Sequence, residues 1–284
     1  MSIFLPRLVI AAPRLLMLAA AGALASPGAL TAGDVLPRGG TVMGGSAQIG
    51  APAGNSLTIT QNSSNAVINW QTFNIGAGNA VTFSQRPTDQ LLNRVTSDTP
   101  SSIAGTLSAG GSVYLINPNG ITITPSGKVT AGGGFVASTL DISAEDFMAG
   151  HRTFTGSGAS AGVSNEGTIT VGDGGYVALL GGTVSTSGMI SVPFGKVGLG
   201  SGERITLDPN GDGFMQVAVP TGAASKTLID VAGKIRAKGG RIELKAATAR
   251  EVIRDAVNVP GSLEARSVSG RSSAKCAPTS SSRV

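Results

Sequence analysis

The sequence predicts an all-β protein, a parallel β-helix (solenoid) with an N-terminal β cap and a projecting β-hairpin. Three observations predict it. Of 284 residues, 42 are Gly, while only 13 % are charged and 4 % aromatic. The apolar residues are mostly Val, Ile, Leu and Ala and the polar ones mostly Ser, Thr and Asn, a mixture suited to short strands joined by tight turns. A unit of about 22 residues also recurs: a turn Gly, a short alternating run, a Gly-rich step, then a second alternating run. Alternation is the period of a strand with one buried face. Five-residue runs cannot bury enough alone, so copies must stack on one another. A Greek-key sandwich does not require the same Gly-to-Gly spacing to recur.

The elements follow in order. Residues 1–25 read as a secretory signal, with Arg7 and Arg14 in a positive n-region. Leu15 to Leu24 form an apolar stretch too short to span a bilayer. Ala23-Leu24-Ala25 is a small-x-small cleavage site, so cleavage after Ala25 would leave Ser26 as the first mature residue. The chain to about Phe83 is expected to cap the open end of the stack, because an uncovered strand edge recruits other chains. Asn69-Trp70-Gln71-Thr72-Phe73, with the single Trp, fits that cap.

Gly105, Gly127, Gly167, Gly188 and Gly233 open successive copies, such as Gly105-Thr106-Leu107-Ser108-Ala109 followed by Val113-Tyr114-Leu115. They are 22, 40, 21 and 45 residues apart, which reads as one, two, one and two units. Residues 141–150 interrupt the repeat with a short helix, Ser143 serving as N-cap ahead of Glu145 and Asp146. Residues 203–219 read as a hairpin standing out from the stack, with Asp208-Pro209-Asn210-Gly211-Asp212-Gly213 at its tip. Residues 257–265 begin a sixth copy, and from Arg266 the Ser-, Lys- and Arg-rich chain has the composition of disorder. The expected organisation is a signal (1–25), a β-helix domain (26–246), an incomplete further coil (247–265) and a disordered tail (266–284).

Composition excludes several function classes. One Cys rules out an internal disulfide framework and any Cys-rich metal site, and one His argues against a His-based metal centre. Neither a cofactor nor a metal is expected. The formal charge of +5 is uneven: residues 26–223 hold 7 basic and 11 acidic side chains, residues 224–284 hold 12 and 5. The basic end lacks interleaved aromatics, so nucleic acid is not an expected partner. A monomer is expected.

Several short motifs stand in a fixed order: Leu36-Pro37-x-Gly39-Gly40, Leu57-Thr58-Ile59-Thr60-Gln61, and Ile68-Asn69-Trp70-Gln71-x-Phe73-Asn74-Ile75-Gly76. They continue with Leu92-Asn93-Arg94-Val95, Asn117-Pro118-Asn119-Gly120-Ile121, and Val136-Ala137-Ser138-Thr139-Leu140-Asp141-Ile142. Together they resemble the amino-terminal secretion domain of two-partner secretion exoproteins, the filamentous haemagglutinin and high-molecular-weight adhesin family. The resemblance implies a right-handed parallel β-helix. It also implies passage through the periplasm and recognition there by the POTRA domains of an outer-membrane β-barrel transporter. The product would be secreted or held at the surface of a Gram-negative cell. Binding of a host glycan or matrix by the flat faces of the stack is a separate alternative.

The family's secretion motif falls on Asn117, Pro118, Asn119, Gly120 and Ile121, and further motif residues on Asn69, Trp70, Asn93 and Arg94. Asn-Pro-Asn-Gly is also a strong turn former, so transporter recognition and coil stabilisation both stay open for it. At Gln85-Arg86-Pro87 relatives usually carry Gln-Pro, which marks that loop as a departure. Relatives also continue into an adhesive or toxic passenger.

Reactive chemistry is weakly signalled. Asp208-x-Asn210-x-Asp212-Gly213 matches the start of a calcium loop, but Val219 stands where a bidentate Glu is needed. Gly158-Ala159-Ser160-Ala161-Gly162 matches the nucleophile-elbow pattern without a helix after it, and its only possible base is His151. His151 reads as a solvated loop residue and Cys276 as a free thiol. The expected protein is not an enzyme; the alternatives are a carbohydrate-active secreted β-helix of the polysaccharide-lyase kind and a glycan-binding adhesin.

Overall fold

Short Val-, Ile- and Thr-rich segments pair side by side in parallel, each strand hydrogen-bonding to the strand one coil before and one coil after. The computed structural model describes residues 36–209, 211, 213–220, 222, 228–247 and 256–265. The expected signal with Ala25, the tail with Cys276, and Asn210 and Asp212 lie outside the described residues.

Among the described residues three sheets of nine, eight and six strands form three faces of one stack. Each coil visits them in the same order. Thr106–Ala109 lies on the first face, Ser112–Ile116 on the second and Ile121–Ile123 on the third. The inward row of the first face is an unbroken aliphatic ladder: Leu57, Val81, Leu107, Val129, Ile169, Ile190, Ile235 and Leu263. Neighbouring rungs are about 4.8 Å apart, so each side chain packs on its equivalents above and below. From Ile59 to Ile235 the interior is sealed, and burying each such side chain contributes about 1.5–3 kcal/mol.

Glycines at the corners make this spacing possible. A Cβ on Gly188 would lie 2.1 Å from the Gly167 carbonyl oxygen, and one on Gly233 would lie 2.0 Å from that of Gly188. Backbone on backbone leaves no room for any side chain there.

The repeat count needs correction. Lys128 pairs directly with Thr168, and Met189 directly with Lys234. The spacings of 40 and 45 are therefore single coils carrying excursions, not two units each. Both excursions leave after a second-face strand, Gly134–Ser138 or Lys196–Ser201, and return to the third face at Gly162–Asn165 or Ile229–Val231. Loop length costs little closure entropy, so the ladder continues undisturbed.

The amino-terminal cap is also smaller than the expected reach to Phe83. Among the described residues, Thr41–Gly44 and Ala47–Ile49, with a single bridge from Arg38 to Thr72, pair antiparallel onto the first coil. Ser56–Gln61 and Asn65–Trp70 already pair parallel with Ala80–Ser84 and Gln90–Val95. Trp70 consequently lies inside the core, 1 % exposed and edge-on to Phe73.

The excursions build a second core. The central second-face strands are not amphipathic: Ser112–Ile116 and Gly134–Ser138 are buried at every position. Consecutive apolar residues such as Val113-Tyr114-Leu115-Ile116 are the signature of a strand covered on both sides. Outward-facing Val67, Leu92, Tyr114, Val136 and Ala178 pack beneath Phe147, Phe154, Ile205, Phe214 and Met215. Phe147 belongs to the expected helix, α1 (Ala144–Ala149), whose N-cap Ser143 accepts from the Asp146 amide.

The expected hairpin forms from Arg204–Leu207 and Met215–Val219, joined antiparallel by Thr153–Thr155 of the first excursion. It does not project. Its apolar side lies flat on the second face because Gly198 and Gly200 leave space; a Cβ there would meet Phe214 at 2.8 Å and the Met215 sulfur at 2.7 Å. Beyond the second excursion, Val257–Asn258 and Ser262–Glu264 add rungs to the third and first faces.

Candidate functional site

The turn at residues 117–121 carries the chain from the second face to the third. Pro118 removes a donor and fixes φ, and Gly120 takes φ of 119°, a conformation open to Gly. Asn117 has no exposed surface. Its Nδ2 donates to the Thr99 carbonyl at 3.0 Å and to Ser101 Oγ at 2.9 Å, one coil back. Its Oδ1 accepts from the Asn119 amide at 3.0 Å, and its own amide donates to the Ser138 carbonyl at 2.9 Å, one coil forward. Through its side-chain and backbone amides together, this one residue ties three successive coils. Ile121 is a buried rung paired with Ser101 and Val163. Pro118 and Asn119 are exposed, and Asn119 Nδ2 donates to the Ser97 carbonyl at 2.9 Å. A partner touching the folded motif reaches Pro118 and Asn119, not Asn117.

Asn69, Trp70, Asn93 and Arg94 sit on adjacent rungs, Asn69 beside Arg94 and Trp70 beside Val95. Asn93 points inward between Ile68 and Leu115, and its Oδ1 accepts from Trp70 Nε1 at 2.9 Å. Its Nδ2 is buried without a protein partner. Arg94 points outward, donates from Nε to Asp141 at 2.8 Å, and also bonds the Ile142 carbonyl. This pair pins the start of the first excursion to the second face. Arg94 pairs with Ile116, the residue before Asn117, so the two motifs meet on neighbouring rungs.

Two further buried polar groups hold the excursions. Arg152 donates to the Phe147 and His151 carbonyls at 2.8 and 2.7 Å and to Gln90 Oε1 at 2.8 Å, with its guanidinium 4.0 Å from the Phe147 ring centre. The Tyr114 and Tyr176 hydroxyls meet at 2.6 Å in the same network. Burial, and then the neighbouring Tyr114, push the Tyr176 hydroxyl well above its usual range. Glu203 accepts from the amides of Gly158 and Ser160 at 3.0 and 2.9 Å and from Ser160 Oγ at 2.6 Å, joining the two excursions.

The remaining sequence candidates are placed as follows. Ser160 is buried against a carboxylate rather than presented at a strand–helix elbow. His151 is exposed, 3.2 Å from Asp146. Asp208 accepts from the Gly211 amide as a turn residue, and no group of three metal-ligating side chains occurs among the described residues. In the loop departing from the family pattern, Arg86 donates from its amide and Nε to fully buried Asp89. A shallow groove of about 650 Å³ follows the corner between third and first faces past Glu166, Ser187 and Lys234, away from both motifs. Sequence reasoning missed Thr99 and Ser101 as the anchors of Asn117, and Glu203 altogether. Asp141 stood inside a quoted motif, but nothing local linked it to Arg94.

A family profile described as the TPS secretion domain matches residues 34–282. The chain is similar to a heme/hemopexin-binding protein of Haemophilus influenzae, 34 % identical over 244 residues, covering 83 % of this chain and 26 % of that one. A second heme/hemopexin-binding protein of Haemophilus influenzae is 33 % identical over 99 residues, 34 % of this chain and 11 % of that one. The chain thus spans about a quarter or less of the curated relatives it matches. Among solved structures, the HMW1 secretion domain of Haemophilus influenzae superposes with a TM-score of 0.66 at 35 % identity, over 80 % of this chain and 57 % of that one. The filamentous hemagglutinin secretion domain shares the fold, with a TM-score of 0.53 at 17 % identity over 81 % and 95 % of the two chains.

Proposed function

The chain belongs to the TPS secretion domain family, and on that premise we propose that its β-helix is recognised in the periplasm by the POTRA domains of its outer-membrane transporter. The coarser function goes with membership: a secretion-directing exoprotein module, an outer-membrane transporter as partner, and export across the outer membrane of a Gram-negative cell. The observation that carries the reading is the match over residues 34–282, which spans the coils and both motif groups.

In this reading residues 1–25 are removed, residues 26–246 form the module, and residues 247–265 begin a further coil. Asn117 closes the turn, while Pro118 and Asn119 are the motif atoms a transporter touches. A non-catalytic role is supported by what the polar residues do. Glu203 joins two excursions, Arg94 and Asp141 hold each other, and Asp89 is buried under Arg86. The same placements count against a polysaccharide-lyase groove. What the relatives' names say they bind belongs to much longer proteins, and host glycan binding is a separate question for a glycan array.

Coexpression with the cognate transporter tests the reading. The expected result is the full chain in the medium only when the transporter is present. Retention in the periplasm despite a functional transporter would overturn it.

A further inference from the structure

The turns from the first face to the second repeat from coil to coil. Residues 172–175, 192–195 and 237–240 each close with an amide-to-carbonyl bond across four residues, at 3.1, 3.3 and 2.9 Å. They also bond to one another: the Gly174 amide donates to the Pro193 carbonyl at 2.8 Å, and the Phe194 amide to the Lys238 carbonyl at 2.7 Å. The third position of all three has positive φ: Gly174 at 75°, Phe194 at 56° and Gly239 at 74°. Pro followed by a residue of positive φ is the type II arrangement, which calls for Gly or Asn at this place. Among the described residues Phe194 is the only non-Gly residue with positive φ.

Folding gains nothing visible in return. Phe194 is 56 % exposed, whereas every other Phe, Tyr and Trp among the described residues is buried or half-buried. A Cβ at the equivalent Gly174 meets no atom within 4 Å, so this position points into open space. Asp173 and Lys238, both exposed, occupy the position of Pro193 one coil before and one coil after. The result is an aromatic knob on a turn braced from both sides, with a negative charge on one flank and a positive charge on the other. Strain kept without a folding gain marks a site selected for another purpose, and rigid exposed aromatics are the usual anchors of protein interfaces.

We propose that Phe194 is a docking knob for a protein partner that presents an apolar socket between a basic and an acidic rim. Resting on the secretion reading above, that partner is the periplasm-facing part of the outer-membrane transporter.

The test uses the full chain with its transporter, measuring secreted yield, affinity for the detergent-solubilised transporter, and thermal stability. Phe194→Gly and Phe194→Asn both suit positive φ and remove the ring. Each is expected to weaken binding and secretion about fivefold or more, with Tm unchanged or raised by about 1–4 °C. Phe194→Tyr should retain binding. Affinity and secretion within about twofold of the parent for both variants, or a fall in Tm of more than about 5 °C marking the ring as a packing residue, would overturn the proposal. Failure of the unmodified chain to bind or be secreted would instead refute the secretion reading itself.

Discussion

Asn117→Ala separates the two roles of the 117–121 turn. The substitution removes Nδ2 bonds of 3.0 and 2.9 Å to Thr99 and Ser101 and the 3.0 Å bond from the Asn119 amide to Oδ1. At about 1 kcal/mol net for each bond, the loss is about 3 kcal/mol. For a domain of this size that corresponds to a Tm lower by about 6–12 °C. Asn119→Ala is the matched control. It loses, from an exposed position, a side-chain bond to the Ser97 carbonyl and a longer one of 3.3 Å to Asn117 Oδ1, together worth about 0.5–1 kcal/mol. Thermal melts by circular dichroism rank the pair, and secretion with the cognate transporter is read on the same variants. Secretion falling in step with stability assigns the motif to coil closure. Secretion lost in Asn119→Ala at near-parent Tm assigns Pro118 and Asn119 to transporter contact. An Asn117→Ala protein melting within about 2 °C of the parent would refute the accounting made from these bonds.

Three other outcomes follow from the geometry. Gly188→Ala places a Cβ 2.1 Å from the Gly167 oxygen; the coils must part, at a cost of about 3 kcal/mol or more, readable by calorimetry. Asn93→Leu strands the Trp70 indole N–H in the core, costing about 1–3 kcal/mol; adding Trp70→Phe should recover the polar part of that loss, and strictly additive losses in a double-mutant cycle would show that the 2.9 Å bond contributes nothing. Burial pushes the Glu243 carboxyl up, but the bond and charge of Lys245, the Met215 amide and Arg241 outweigh it and hold the carboxyl below its ordinary range. The stabilisation is therefore present above the ordinary Glu range and is lost as pH falls through the lowered value. Carbon-detected NMR titration should show Glu243 titrating low and Lys245→Met moving it up.

Much of the stack was legible because its rules are local. Leu107, Val129, Ile169, Ile190 and Ile235 follow a turn Gly at the same offset, and the ladder stacks them in that order. Ser143 ahead of two acids announced α1, and Ile205 and Leu207 announced a hairpin strand. The misreadings share one cause. The second-face runs were read as alternating although Val113-Tyr114-Leu115-Ile116 is continuously apolar. Without a covered outer face, the hairpin had nothing to lie on and the long Gly spacings looked like extra coils.

The candidate site divided in the same way. Asn-Pro-Asn-Gly identifies a turn from its residues alone, but nothing local says that Asn117 is buried while Asn119 is exposed. Periodicity and turn chemistry repeat within one coil, so the amino-acid order alone determined that this chain winds, where it turns and which aliphatic row points inward. Contacts between positions far apart in the chain decided the rest. Arg94 on Asp141, Glu203 on Ser160, and Phe214 over Gly198 arise only after the coils have stacked, because only then do residues 16 to 47 positions apart share a surface.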